Sequence, residues 1–395
     1  MSRPPLEVAD LVRAAGDAFL ERNRHWLGWK HVKVLLAIRR CRTAALGGHL
    51  DQCSRCGHQA ISYNSCRNRH CPKCQTSARE RWIAARQQEL LPTPYAHIVF
   101  TLPRHLVPLV LQNKKLLYGL LFRVSAETLL ELARDPKHLG AEIGFFSVLH
   151  TWNQKLQIHP HVHCVVPAGG LSPDHTRWVR SGKNFFLPKR VLSRRFRGKF
   201  VAALKEAFRN GQLHFAGNLE LLAEPKTFAA WLRPLYRQDW IVYLKRPFGG
   251  SPHVLHYLGR YTHRVAISNH RLVAFNDGKV TFRWRDSAHQ NQQKLLTLSV
   301  DEFLRRFLLH ILPKGFVRIR HFGFLANRRR AALLPVCFQR LGTSQPVPAE
   351  SHSSATDSST DLYRCPHCGE PMVIVQRLTP AEIQLRSPPE LSVAA

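Results

Sequence analysis

Gln157-Ile158-His159-Pro160-His161-Val162-His163-Cys164-Val165-Val166 is the stretch on which the fold turns. Its apolar and β-branched residues predict a strand. Side chains alternate faces along a strand, so His161 and His163 point the same way with Val162 buried behind them. Two imidazoles side by side can hold one divalent cation. A single strand histidine is usually satisfied by hydrogen bonds in a core, whereas His159, His161 and His163 together favour a metal. A third protein ligand is expected from Gln154, reaching in from an adjoining turn or strand, or from His159, which shares the strand face unless Pro160 disturbs the alternation. His150 is a weaker choice.

Around this stretch the pattern mixes strands and helices, which predicts an α+β fold. Tyr95 to Pro103 alternates and ends in proline, as a strand would, and helical patterning follows to about Arg134. Residues 185 to 232 read as basic helix and Trp240 to Leu244 as a strand. Leu272 to Phe275 and Lys279 to Trp284 read as strands joined through Asn276-Asp277-Gly278, a tight hairpin signal. Leu6 to Arg42 predicts one or two amphipathic helices. Ser344 to Asp361, rich in Ser, Thr, Pro and Asp, predicts a linker. The expected linear division is a helical and zinc-binding module over 1–90, a catalytic domain over 91–342 and a tail over 343–395.

A second motif follows about a hundred residues after the histidines: Tyr257-Leu258-Gly259-Arg260-Tyr261. On a helix, residues four apart lie one above the other, so both phenols share a face. Most such pairs are packed helix faces. Here Arg260, His263 and Arg264 lie within a turn, where they would neutralise phosphate and favour the phenolate, a form that attacks phosphorus directly.

Charge supplies the partner class. The 395 residues carry 58 Lys plus Arg against 26 Asp plus Glu, a formal net charge of +32. So large an excess concentrates polyanions and makes binding steeply salt-dependent, which points to nucleic acid over an anionic membrane surface. Trp178, Phe185 and Trp284 are stacking candidates for single strands. The N-terminus lacks a long apolar core, so a cytoplasmic protein is expected, with no membrane partner. Leu106 to Phe122 is interrupted by Asn113, Lys114 and Lys115 and reads as a buried helix.

Ten cysteines under reducing conditions argue for metal ligation. Cys53-x2-Cys56 and Cys71-x2-Cys74, with 14 residues between the pairs, predict a structural zinc cage of four thiolates. Cys66, His58 and His70 are spare ligands. Arg67, Arg69 and Lys73 crowd the same segment and suit phosphate contact. Cys365-Pro366-His367-Cys368 resembles half a knuckle without obvious partners, Cys337 and His367 being the nearest candidates.

The ordered strings Cys66 to Cys74, Phe100 to Pro103, His150 to Gln154, His159 to His163 and Tyr257 to Ser268 resemble the rolling-circle insertion-sequence transposases of the HUH class with paired tyrosines. The resemblance covers most of residues 30 to 340. It implies an antiparallel-sheet nuclease core flanked by helices, with Tyr257 and Tyr261 as nucleophiles. It implies His161 and His163, completed by a polar residue, on Mg2+ or Mn2+, and Arg260 and Arg264 near the DNA. The implied reaction cleaves and rejoins single-stranded DNA and element-end hairpins through a 5′-phosphotyrosine. A plasmid or phage replication initiator would use the same chemistry, and a non-enzymatic zinc-dependent DNA-binding protein would explain the charge and cysteines alone.

Overall fold

The computed structural model describes residues 4–182, 186–248, 266–286, 289–344 and 364–386. Its fold is α+β, with antiparallel sheets and helices. The chain divides into two compact units, both discontinuous: 1–78 with 267–304 and 348–395, and 79–266 with 305–347. This is not the expected linear order. The hairpin strands after residue 267 and the tail fold with the N-terminal module.

In the second unit five strands lie in the order Ile319–Gly323, Gly144–Trp152, Ile158–Pro167, Tyr95–Thr101, Val242–Phe248, every neighbour antiparallel. Alternation sorts their side chains. Ala96, Ile98, Phe100, Phe145, Leu149, Val162, Cys164 and Val166 enter one large apolar core with the helices Lys114–Arg134 and Lys189–Arg209. Tyr95, Phe146, Val148 and Val165 occupy the other face under Trp82 and Ile83. The expected helix over Leu106 to Phe122 is two helices, because Asn113 ends Val107–Gln112 and starts Lys114–Arg134. No described helix is long and apolar enough to cross a membrane.

The first unit begins with the helices Val8–Arg22 and Trp29–Arg40. Its first sheet sets Gly48–Cys53 between Gln59–Tyr63 and the tail strand Met372–Leu378. A second sheet, the meander Leu272–Asn276, Lys279–Asp286 and Gln292–Ser299, includes the predicted hairpin, turned by Asp277 and Gly278 at φ +49° and +67°. Side chains tie this meander region to the N-terminal helices: Asn269 Oδ1 accepts from the Val8 amide at 3.2 Å, and Arg22 donates twice to Asp301 at 2.9 and 2.8 Å. These links hold 267–304 to the N-terminal helices within the first unit.

Candidate metal centres and catalytic residues

His161 and His163 lie on the sheet face opposite the helical core, as alternation requires. The register sets His150 directly across from His161 and next to His163's partner Val148. Ring centroids are 4.8 Å apart for His161 and His163, 4.4 Å for His150 and His163, and 5.4 Å for His150 and His161. One nitrogen of each of the three lies within 4.8 Å of the others, close enough to share an ion. His150 and His163 are buried and His161 partly so. Burial, followed by the charge of His159, holds the His161 imidazole down at about 3, and His163 is held well below its usual value, again mainly by burial. Both are therefore neutral at pH 7, the form that ligates metal.

A fourth imidazole backs this cluster. His97, buried on the neighbouring strand, stacks on His163 with the rings 5° from parallel, and its Nε2 is 2.8 Å from His163 Nδ1. Burial and the charge of Lys245 hold His97 down at about 4, so the two neutral rings share one proton between these nitrogens. With His163 Nδ1–H as donor, its Nε2 is the basic nitrogen. His161 is oriented separately, its Nδ1 lying 2.6 Å from the His159 carbonyl oxygen and donating to it.

The expected third ligands fare differently from His150. His159 sits two residues before His161 and offers its carbonyl to that ring, outside the three-imidazole group. Gln154 lies exposed at the tip of the hairpin between the two histidine strands. Asn153 shapes that tip by accepting from the amides of Lys155 and Gln157, both at 2.9 Å. His97 escaped the sequence reading, although a histidine inside the otherwise apolar Tyr95–Thr101 strand was the available signal. Tyr257, Tyr261, Arg260 and Arg264 lie outside the described residues, as does Phe185.

The cysteines form two groups in the first unit, not the single expected cage. Cys41, Cys66, Cys71 and Cys74 converge, and Cys53 and Cys56 meet Cys365 and Cys368. The hairpin causes the separation: Gly48 pairs with Tyr63, so the chain returns to the far end of its sheet before reaching Cys66. Five strand steps at roughly 3.3 Å place Gly48 about 16 Å from Cys53, beyond what one ion can bridge. Cys74 Sγ is 3.5 Å from Cys41 Sγ and 3.6 Å from Cys66 Sγ. Side-chain hydrogen bonding from Cys41 and then Cys66 pulls the Cys74 thiol strongly down, towards the thiolate that binds metal. Cys41, at the end of the Trp29–Arg40 helix, belongs to no Cys-x2-Cys pair, which is why spacing did not find it. Cys337 is buried in an apolar cluster of the second unit and joins no ligand group among the described residues.

Other candidates around these groups take different places. His70 is buried and its Nδ1 lies 3.2 Å from Asn68 Oδ1, while His58 packs against His367 with ring centroids 4.3 Å apart. Neither imidazole joins a cysteine group. Arg67 and Arg69 are exposed, as phosphate contacts need to be. Lys73 is not: its ammonium lies 2.6 Å from Glu7 Oε2, with the two side chains 9% and 6% exposed, so it neutralises a buried carboxylate. Trp178 packs edge-on to Phe324 at 6.0 Å and Trp284 is half-buried.

Two family models match this chain, and their bounds differ from those of the compact units, since the second match includes residues 267–304. Residues 11–102 match the family described as a transposase zinc-binding domain of IS91 type, and residues 144–332 match the family described as "Putative transposase". The chain is 51% identical over 381 residues to "Putative transposase y4qJ" of Sinorhizobium fredii, covering 95% of this chain and 96% of that protein. It is 32% identical over 363 residues to "Transposase for insertion sequence element IS801" of Pseudomonas savastanoi pv. phaseolicola, covering 89% and 85% respectively. No solved structure matches.

Proposed function

The chain belongs to the IS91-type rolling-circle transposases with an N-terminal zinc-binding domain, and from that premise we propose that it cleaves and rejoins single-stranded DNA through Tyr257 and Tyr261. The observation that carries the reading is the convergence of His150, His161 and His163 on one sheet face.

In the proposed step the phenol oxygen of one tyrosine attacks the scissile phosphorus. The bond from phosphorus to the 3′ oxygen breaks, the phenol proton ends on the leaving 3′-hydroxyl, and a 5′-phosphotyrosine holds the other strand end. A phosphodiester is exchanged for a phosphodiester, so the bond energy is kept. A 3′-hydroxyl on a new strand, or the second tyrosine, reverses the step without ATP. The same phosphorus chemistry fits element-end hairpins, whose loops are single-stranded.

The three histidines would hold one divalent cation, which when bound would neutralise charge on the scissile phosphate. Neutral imidazoles fit such an ion, and nitrogen donors suit Mn2+ better than the oxygen-seeking Mg2+. His97 and the His159 carbonyl orient two of the rings. Arg260 and Arg264 follow the tyrosines closely in sequence and would meet the phosphate. Arg67 and Arg69 would contact the backbone elsewhere on the DNA. The group Cys41, Cys66, Cys71 and Cys74 lies wholly inside the zinc-binding-domain match and would hold its structural zinc. We place this action on nucleoid DNA in the cytoplasm, a location that the charge of +32 supports.

Labelled single-stranded DNA from an element end, incubated with protein and Mn2+ and run on a denaturing gel, tests the reading. A covalent adduct is expected with wild type and none with Tyr257→Phe combined with Tyr261→Phe. An adduct of equal yield in the double variant would sink the tyrosine assignment.

A further inference from the structure

Cys365-Pro366-His367-Cys368-Gly369 lies beyond both family matches, yet it repeats the local fold of Cys53-Ser54-Arg55-Cys56-Gly57. In the first turn the Cys53 amide donates to the His58 carbonyl at 2.8 Å and the Gly57 amide to the Cys53 carbonyl at 3.1 Å. In the second the Cys365 amide donates to the Glu370 carbonyl at 2.8 Å and the Gly369 amide to the Cys365 carbonyl at 2.9 Å. Gly57 and Gly369 close the turns at φ +70° and +76°, a conformation that a side chain resists. Two knuckles of one geometry therefore face each other.

Their sulfurs interdigitate. Cys53 Sγ is 3.4 Å from Cys368 Sγ, and Cys56 Sγ is 3.5 Å from Cys365 Sγ and 3.6 Å from Cys368 Sγ. A tetrahedral zinc with bonds of about 2.3 Å sets its sulfurs roughly 3.8 Å apart, whereas a disulfide would need about 2.0 Å. The separations match the cage and exclude the disulfide. Antiparallel pairing of Met372–Leu378 with Gly48–Cys53 places Met372 opposite Cys53, so the sheet brings the second knuckle to the first. Among the described residues the apolar cluster at the knuckles is Cys53, Cys365 and Met372, flanked by Ala60 and Cys368. A metal would add to that small cluster in offsetting the entropy of ordering the two knuckles.

We propose that Cys53, Cys56, Cys365 and Cys368 bind a second structural zinc ion, which makes the C-terminal tail a component of the N-terminal zinc module. The protein then carries two sulfur-ligated ions per chain, and the second site is complete only once Cys368 has been synthesised. The assignment stands apart from the strand-transfer reading, since it uses none of the same residues.

Cobalt-loaded full-length protein tests it, because sulfur-to-cobalt charge-transfer absorption counts thiolate-bound metal and ignores the histidine site. Wild type is expected to titrate to two sulfur-ligated cobalt ions per chain. Cys365→Ser with Cys368→Ser should lower that count, to about half if the other cage stands alone. Cys365→His, which keeps a ligand, should restore two ions with one spectrum altered by nitrogen. An unchanged count in the double serine variant overturns the proposal, whereas a wild type holding one ion that this variant loses would remove the Cys41 cage instead.

Discussion

Replacing Lys73 by methionine separates a structural role from a DNA contact at one residue. The ammonium lies 2.6 Å from Glu7 Oε2, and both side chains are almost fully buried. Methionine keeps the apolar stem and removes the charge, which leaves the Glu7 carboxylate buried without its counter-ion. Breaking such a pair costs about 3–5 kcal/mol. The low end applies, because Asn269 Nδ2 still donates to Glu7 Oε1 at 3.4 Å. Glu7 caps the helix Val8–Arg22, so the loss should surface there. Amide exchange of that helix, followed by mass spectrometry, should speed up about a hundredfold for about 3 kcal/mol. Adding Glu7→Gln should recover much of the protection, since no buried charge then remains. The salt dependence of DNA binding, measured in parallel, should keep its slope. Unchanged exchange together with a slope reduced by about one phosphate contact would show that Lys73 reaches DNA, and the buried-pair argument would fall.

Two further outcomes follow from the histidine face. His97→Phe keeps a ring and removes the nitrogen 2.8 Å from His163 Nδ1. Mn2+ affinity, read by calorimetry on the whole protein, should fall about 10–100-fold while salt-sensitive DNA binding persists, and unaltered affinity would exclude a role for His97 in orienting His163. Acid should destabilise the metal-free protein through groups whose folded values lie below the unfolded one of 6.5: His161 at about 3, His310 at about 3 and His97 at about 4, each lowered chiefly by burial. The unfolded chain takes up protons first, so their contribution is complete above pH 6.5 and drains away as pH falls towards about 4 for His97 and about 3 for His161 and His310. The loss is about 1 kcal/mol per histidine per pH unit. Urea midpoints that stay flat from pH 7 to 5 would contradict it.

The periods of the sequence made much of the second unit legible. Alternation in Tyr95–Thr101 and Ile158–Pro167 identified both strands and the shared face of His161 and His163, because strand geometry is local. The third imidazole was less legible. His150 meets His161 only through the register of two paired strands, and register depends on the Asn153 turn and on burial of Val162 and Leu149 on the opposite face. His97 is hidden for the same reason, being brought to His163 by a strand that lies far away in the chain.

The cysteines divide the two kinds of information most clearly. Sequence by itself pointed to metal ligation through the Cys-x2-Cys pairs, and the turns at Cys53–Cys56 and Cys365–Cys368 are local, each a few residues closed by its own hydrogen bonds. It also determined the partner class, because a charge of +32 acts whatever the fold. Which knuckles share a cage was decided only in three dimensions. A hairpin sends Cys66 to one end of its sheet, a tail strand delivers Cys365 and Cys368 to the other, and the end of a helix supplies Cys41. Four sulfurs must fit within a few ångströms of one ion, and chain spacing cannot state distances that are set by pairing across three hundred residues.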